Sequence, residues 1–476
     1  MKRSITRVSM FMEKTCNGDF RMTIKIKYRN VKKFWKQRSS EYKKTLSLSV
    51  PVIIAQAGQI TVGLIDNVMI GQLGTIPFAA ASFTNTLFTL ILIFGMGFSF
   101  ALTPLIGKSR GEKDSKAVAN WIKNGLLANL VMGIILALIL CGLYIAMPYM
   151  GQPNSVIDMS QNYLSILIIS VIPMMLFYAY KQIAEGIGDT RTAMKIMLWA
   201  NLVNTAGNYI FIFGKFGAPE MGLIGAGIGT LLARIFMAVA FIVLFAKNQK
   251  FKTLSNLLRK SIFSWNKFKQ VTQLGIPLGA QIVIEASAFG LCAIMMGWLN
   301  EKGMAAHQIA ISLSTLGFMI YQGLGSGTTI RVSHYKGEND KEGIKRATKT
   351  GMHLMYVYCI FSILLFIGGR NSLPLLFTHD TLVIKLAAQM LIVCAAFQLY
   401  DGIQIILVGT LRGLADARVP LIITFISYFL ISIPFSYCSA FMWGFNEVGI
   451  WFGFPVGLIV SSSLFQMRYK YLLKRF

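Results

Sequence analysis

Four ionisable side chains stand inside long apolar stretches of this chain: Asp66, Glu285, Asp401 and Arg234. A charged side chain at the centre of a bilayer costs about 2.5–3.5 kcal/mol on insertion scales, so such residues face a bundle interior and mark ion or substrate paths. Helical spacing shows what shares a face with each of them. Gln59, Gly63 and Asp66 fall at i, i+4 and i+7, and Asn201, Asn204 and Asn208 repeat at i, i+3 and i+7. Gly227, Thr230 and Arg234 do the same; Gln281 lies one turn before Glu285, and Gln398 and Gln404 flank Asp401 three residues to either side. Carboxylates surrounded by amide and hydroxyl oxygens suit a hard monovalent cation that must shed its water. A desolvated carboxylate can equally take up a proton, and residue types do not decide between the two. Asn201 and Gln404 alone would read as glue between helices. Phe177, Tyr178, Phe289, Met295, Phe318, Met319 and Phe397 sit on nearby faces, where they offer surfaces for a bulky organic cation.

The elements that must hold these residues are membrane helices. The chain of 476 residues is 55% hydrophobic, only 14% charged, and has a mean hydropathy of +0.59, too little polar surface for a soluble protein of this length. Apolar runs recur over 87–107, 125–147, 164–180, 196–213, 221–246, 303–330, 351–369, 382–411 and 419–443, with further spans starting near 46, 272 and 447. About 20 such residues cross a hydrocarbon core as a helix. The expected fold is an all-α polytopic membrane protein with twelve transmembrane helices.

The net charge of +27 is distributed unevenly. The segments 108–117, 247–269, 334–346 and the C-terminal tail are basic, whereas the alternate connections carry few cations, which puts the basic loops and both termini in the cytoplasm. Residues 1–45 hold 14 Lys/Arg against Glu13, Asp19 and Glu41 and have no apolar signal core; they read as a basic tail held near anionic lipid, with Met10, Met12 and Met22 as alternative starts. Residues 247–269, with seven Lys/Arg, form the natural linker between an N-lobe of spans 1–6 (46–246) and a C-lobe of spans 7–12 (270–470), followed by a short tail, 471–476. Because the membrane accounts for the charge, no nucleic-acid partner is expected. The six cysteines show no CxxC spacing and the four histidines form no metal motif, so neither a metal centre, a cofactor nor a catalytic residue is expected.

Sliding the chain on itself by 226 residues aligns Pro51 with Pro277, Gly71 with Gly297, Gly97 with Gly323, and Gly111, Glu112 and Asp114 with Gly337, Glu338 and Asp340. One residue further, EGIGDTR (185–191) overlies RGLADAR (412–418). Two halves of six spans enter the membrane in the same direction, so the lobes should be related by a pseudo-two-fold axis along the membrane normal, with a cavity between them. At the 226 shift Asp66 aligns with Cys292 and Glu285 with Gln59, so the two lobes place their acids two turns apart. Three interior acids against Arg234 leave a net-negative cavity suited to cations.

The stretches VPVIIAQAGQITVGLIDNVMIGQLG, EGIGDTRTAMK, NLVNTAGNYIFIFGKFGAPEMGLIGAGIGT, IPLGAQIVIEASAF, AAHQIAISLSTLGFM and FQLYDGIQIILVGTLRGLADARVPL, in this order, resemble the multidrug and toxic compound extrusion (MATE) family and its NorM-like branch over about residues 44–470. The resemblance implies an antiporter of a bacterial inner membrane, expected to be monomeric, that expels small organic cations by alternating access as Na⁺ or H⁺ enters. It implies an N-lobe coupling site at Asp66 with Asn204, Asn208 and Thr230. In the C-lobe it implies that Glu285 and Asp401, with Gln281 and Gln398 beside them, bind cation or substrate. Na⁺ would sit at Asp66 or at the Glu285–Asp401 pair. Arg234 is placed to pair with Asp66, which leaves less room for sodium there and tilts the N-lobe toward protons, or makes Glu285–Asp401 the main coupling pair. A flippase for a polyprenyl-linked saccharide is the alternative, but it predicts more interior cations to grip a pyrophosphate. A membrane enzyme would need a surface His/Asp or paired-acid motif that is not found, and a symmetric channel fits the unequal lobes poorly.

Overall fold

Long apolar runs leave helix as the one way to satisfy nearly every backbone amide within hydrocarbon, and interior prolines such as Pro51, Pro173 and Pro277 are accommodated within it. The computed structural model describes the backbone of residues 18–476, with side chains from residue 39 onward except at 249 and 250. Among the described residues twelve helices are long and apolar enough to cross a membrane. Spans 1–6 are Ser39–Gly71, Thr75–Gly111, Ser115–Tyr149, Asn154–Ile187, Thr190–Phe213 and Gly222–Lys247. Spans 7–12 are Trp265–Gly297, Glu301–Gly337, Lys341–Gly369, Thr381–Gly413, Arg418–Met442 and Asn446–Arg475. The helix Gln249–Lys260 lies between the two sets, with Phe251 stacked on Phe245 of span 6 at 4.8 Å. Of the basic tail read from the sequence, residues 1–17 lie outside the described residues, and from Gly18 the backbone is one helix continuous with span 1.

The internal repeat is visible in local chemistry. Asp114 caps span 3 by accepting from the Ala117 amide at 2.9 Å, and Asp340 caps span 9 by accepting from Gly343 at 2.8 Å, each satisfying a helix-start N–H. Asp189 caps span 5 through the Thr192 amide, whereas its counterpart Asp416 accepts from Arg468 of span 12 at 2.6 Å. Pro51 and Pro277 remove corresponding backbone hydrogen bonds early in spans 1 and 7. Gly188 and its counterpart Ala415 both turn the chain with positive φ, 97° and 54°, so the second lobe makes with alanine a turn that glycine makes without a steric cost.

The lobes meet by the same pairing twice. Gly97 of span 2 packs on the backbone of Leu278 and Gly279 in span 7, and Gly323 of span 8 packs on Ile53 and Ser49 in span 1. At the end bearing the basic loops, Gly111 and Gly337 meet directly, each against backbone atoms at the other's helix end, and close approach of this kind requires residues without a Cβ. His334 Nε2 lies 2.8 Å from the Gly186 carbonyl across the same junction.

The expectation that only four charged residues lie within spans is corrected by this packing. Glu41, Lys181, Glu185, Arg331 and Arg412 are also buried. Glu41, read from sequence as part of a solvated tail, pairs with Arg331 of span 8, whose guanidinium also donates to Thr45 Oγ1 at 2.6 Å. Lys181 and Glu185 pair within span 4 at 3.9 Å. Sequence reading missed these because a charge near a helix end can as easily reach water as turn inward; only the neighbouring lobe decides. Glu41→Gln strands the Arg331 charge and is expected to cost about 3 kcal/mol, the low end for breaking a buried pair, read as a lower thermal midpoint of the purified protein. Glu342→Gln, which breaks an exposed pair with Lys345, should move the midpoint little; equal shifts would contradict the buried tie.

Candidate functional site

In the N-lobe, spans 1, 5 and 6 bring their polar stripes together. Asn208 Nδ2 donates to Asp66 Oδ1 at 2.6 Å and approaches Asn204 Oδ1 at 3.5 Å, while Asn204 Nδ2 donates to Thr230 Oγ1 at 3.4 Å. Asn208 Oδ1 is buried without a hydrogen-bond partner, held close by Gly229, where an added Cβ would collide with it. The cluster therefore offers several oxygens around one carboxylate, one of them unclaimed. Arg234, a turn below Thr230, donates to Ser170 Oγ at 2.5 Å and lies 4.8 Å over the Phe88 ring. Among the described residues no ion pair joins it to Asp66.

In the C-lobe, Glu285 is held by two donors. Gln404 Nε2 lies at 3.2 Å and the Tyr428 hydroxyl at 3.1 Å from the same carboxylate oxygen, and Gln404 also donates to Tyr428 at 3.1 Å and accepts from Ser461. Tyr428 reaches Glu285 from a π-helical turn, Ile426–Ser432, in span 11, just before Pro434, which removes a backbone donor and favours such a local widening. Asp401 lies deeper, 2% exposed, with one carboxylate oxygen unpartnered and Glu285 the charge within its reach. In front of Glu285 opens a cavity of about 320 Å³ lined by spans 7, 8, 10 and 12, with Ile93 and Met96 contributed by span 2 of the other lobe. Its walls are mostly apolar. Phe289, Phe318, Phe397 and Trp451 supply ring surfaces, and Gln281, Glu285, Gln404 and Arg412 supply polar groups, the composition of a site that takes an aromatic small molecule.

This geometry coincides with the comparisons to known proteins. The MatE family profile matches residues 51–210 and again residues 277–438, so the two matches begin at the internal shift of 226. The chain belongs to the MATE family. "Probable multidrug resistance protein NorM" of Agrobacterium fabrum is 30% identical over 441 residues, spanning 92% of this chain and 95% of the relative. "Multidrug resistance protein NorM" of Photobacterium profundum is 30% identical over 91% of this chain and 96% of its own length, which places this MATE chain in the NorM-like branch. Among solved structures, one described as the outward-facing conformation of a multidrug resistance MATE family transporter shares the fold, with a TM-score of 0.83 at 18% identity, over 91% of this chain and 96% of the other.

The residues singled out by sequence fall into three groups in this MATE chain. Asp66, Asn204, Asn208 and Thr230 form one cluster; Gln281, Glu285, Phe289, Phe318 and Phe397 line the C-lobe cavity, with Asp401 behind it. Gln398 does not line the cavity; it is fully buried and donates to the Ser314 carbonyl at 3.4 Å. Phe177 is corrected as a substrate contact: it is enclosed in the N-lobe core against Tyr178 and Phe241, because its side of span 4 faces span 6 rather than the cavity. The expected Arg234–Asp66 pair is corrected as well, since Ser170 and Phe88 take the guanidinium. The guanidinium nonetheless stays within electrostatic reach of the Asp66 carboxylate. The net-negative cavity needs revision too, because Arg412 lines it together with Glu285.

Sequence reading passed over Gln404, Tyr428, Ser461, Trp451 and Arg412. Gln404 looked like helix glue, and a tyrosine or serine in an apolar span carries no signal by itself. Arg412 does carry one, since it aligns with Glu185 in the repeat, but it stands just past the apolar run 382–411. The Glu285 network predicts coupled energetics. In a double-mutant cycle of Glu285→Ala and Tyr428→Phe, thermal unfolding should show a coupling of about 0.5–3 kcal/mol; simple additivity would mean that the hydroxyl does not hold the carboxylate.

Proposed function

We propose that this chain is a secondary antiporter of a bacterial inner membrane that exports small organic cations and other toxic compounds in exchange for Na⁺ or H⁺ by alternating access. The supporting observation is the division of labour between lobes. An oxygen-rich carboxylate cluster stands at Asp66, while a second carboxylate, Glu285, borders a cavity walled by four aromatic side chains. A cation displaced from one carboxylate as another arrives needs groups of this kind, placed in a duplicated frame whose halves can rock about a shared interface. The coupling ion stays open between Na⁺ and H⁺: Asp66 and its amide and hydroxyl neighbours suit either. The names of the NorM relatives, which describe multidrug resistance proteins, are consistent with this reading. The protein is taken to act as a monomer with both termini in the cytoplasm. A lipid-linked saccharide flippase is less well supported, because a single cation, Arg412, lines the cavity among the described residues where a pyrophosphate calls for several.

The test is transport of a fluorescent organic cation by the full chain in proteoliposomes under an imposed sodium or proton gradient. One gradient should accelerate dye movement, and Asp66→Asn, Glu285→Gln and Asp401→Asn should each slow it at least about tenfold, the loss expected when a charge interaction worth about 1.4 kcal/mol is removed. Transport indifferent to both gradients, with all three variants at the wild-type rate, would falsify the antiport reading.

A further inference from the structure

Away from the central cavity, spans 1 and 5 part at the end that bears the basic loops and leave a groove of about 650 Å³. Lys43 from span 1 and Arg191 and Lys195 from span 5 stand at its mouth, all three exposed. Among the described residues none of the three has an ion pair. The acids close to them in the chain are engaged elsewhere: Glu41 by Arg331, and Asp189 by the amide and hydroxyl of Thr192. Deeper in the groove the walls turn apolar. Leu46, Val50 and Ile54 follow one another down span 1 at four-residue spacing, each about 40% exposed, with Met194 opposite on span 5. The groove closes at Gly58, where an added Cβ would stand 2.9 Å from Asn201 Nδ2 and 3.1 Å from the Leu198 side chain. From Lys43 to Ile54 is about 16 Å of helix, close to the roughly 15 Å of hydrocarbon in one leaflet.

We propose that the groove between spans 1 and 5 is a binding site for one anionic phospholipid, its phosphate held by Lys43, Arg191 and Lys195 and an acyl chain laid along Leu46, Val50 and Ile54. The order of residues along the membrane normal matches that molecule: cations at headgroup depth and apolar side chains below them, on a face that hydrocarbon must cover in any case. Arg191 supplies a planar fork that suits two phosphate oxygens at once, and the two lysines supply point charges beside it. The competing role is a diffuse one, in which these residues belong to the general excess of positive charge at this end and hold no particular lipid. The repeat separates the two. At the corresponding positions of spans 7 and 11 stand Lys269, Arg418 and Ile422, so the C-lobe keeps two exposed cations and has an isoleucine in place of the third. Diffuse attraction treats both corners alike, whereas a built site belongs to the N-lobe.

The experiment is lipid competition on the purified full chain: phosphatidylglycerol against phosphatidylcholine with the same acyl chains, the bound lipid counted by native mass spectrometry. Wild-type protein should retain one phosphatidylglycerol in preference. Lys43→Gln, Arg191→Gln and Lys195→Gln should each lower that preference about fivefold, the worth of one basic residue at an anionic surface. Arg191→Lys, which keeps the charge without the fork, should lower it by less, and Lys269→Gln should leave it unchanged. Folding of the variants is read from the thermal midpoint, which substitutions at exposed positions leave near that of wild type. No preference in the wild type overturns the proposal. So does a loss in Lys269→Gln equal to that in the groove variants, which assigns the effect to diffuse charge. Displacement of the lipid by inorganic phosphate, where chloride of equal ionic strength displaces none, makes the site one for a free anion and overturns the lipid assignment.

Discussion

Everything in the interior of this protein follows from the cost of a carboxylate without water. In a bundle whose outer surface faces hydrocarbon, each acid must find donors, a counter-charge or an ion among its own helices. Asp66 finds the Asn208 amide, and Glu285 finds Gln404 and Tyr428. Those demands explain features that otherwise look incidental. They account for the asparagine stripe of span 5, the π-helical turn that carries Tyr428, and the serine of span 12 that completes Gln404. Asp401, buried with an unpartnered oxygen, is the acid for which the fold supplies least.

The duplicated frame and the divergent chemistry belong to different layers of the molecule. Symmetry survives where backbone meets backbone: in the aspartate caps of spans 3 and 9, in the prolines of spans 1 and 7, and in the glycines that let spans 2 and 7, and 8 and 1, approach closely. These positions are set by helix geometry, which is the same in both lobes. Symmetry is lost where side chains face the interior. Asp66 has Cys292 as its counterpart and Glu185 has Arg412, so the two lobes share a scaffold and present different charges.

The junction between lobes joins these layers. The meeting of Gly111 with Gly337, the Arg331–Glu41 pair and the stacking of Arg412 on Phe100 each bridge the two halves. Glycine contacts of this kind hold helices by close packing with no charge to desolvate, whereas the ion pair and the cation–π contact depend on polar groups meeting in a dry interior. A motion that parts the lobes at this end must break both kinds of contact, and Arg412 lies where such a motion would be felt in the cavity.

The sequence by itself determined the twelve helices, the two lobes and their shared direction, because hydropathy, charge asymmetry and an internal shift are local or periodic properties of the chain. It also determined which polar stripes contain Asp66, Glu285 and Asp401, since residues on one helix face are fixed by spacing alone. Only the tertiary structure decided which stripes meet. It gave Asp66 to Asn208 rather than to Arg234, enclosed Phe177 in the N-lobe core, and turned Glu41, Arg331 and Arg412 inward. Those outcomes depend on the rotation of one helix against another and on which lobe stands opposite. A side chain near a helix end can face water or protein at similar cost, and the packing of its neighbours settles which.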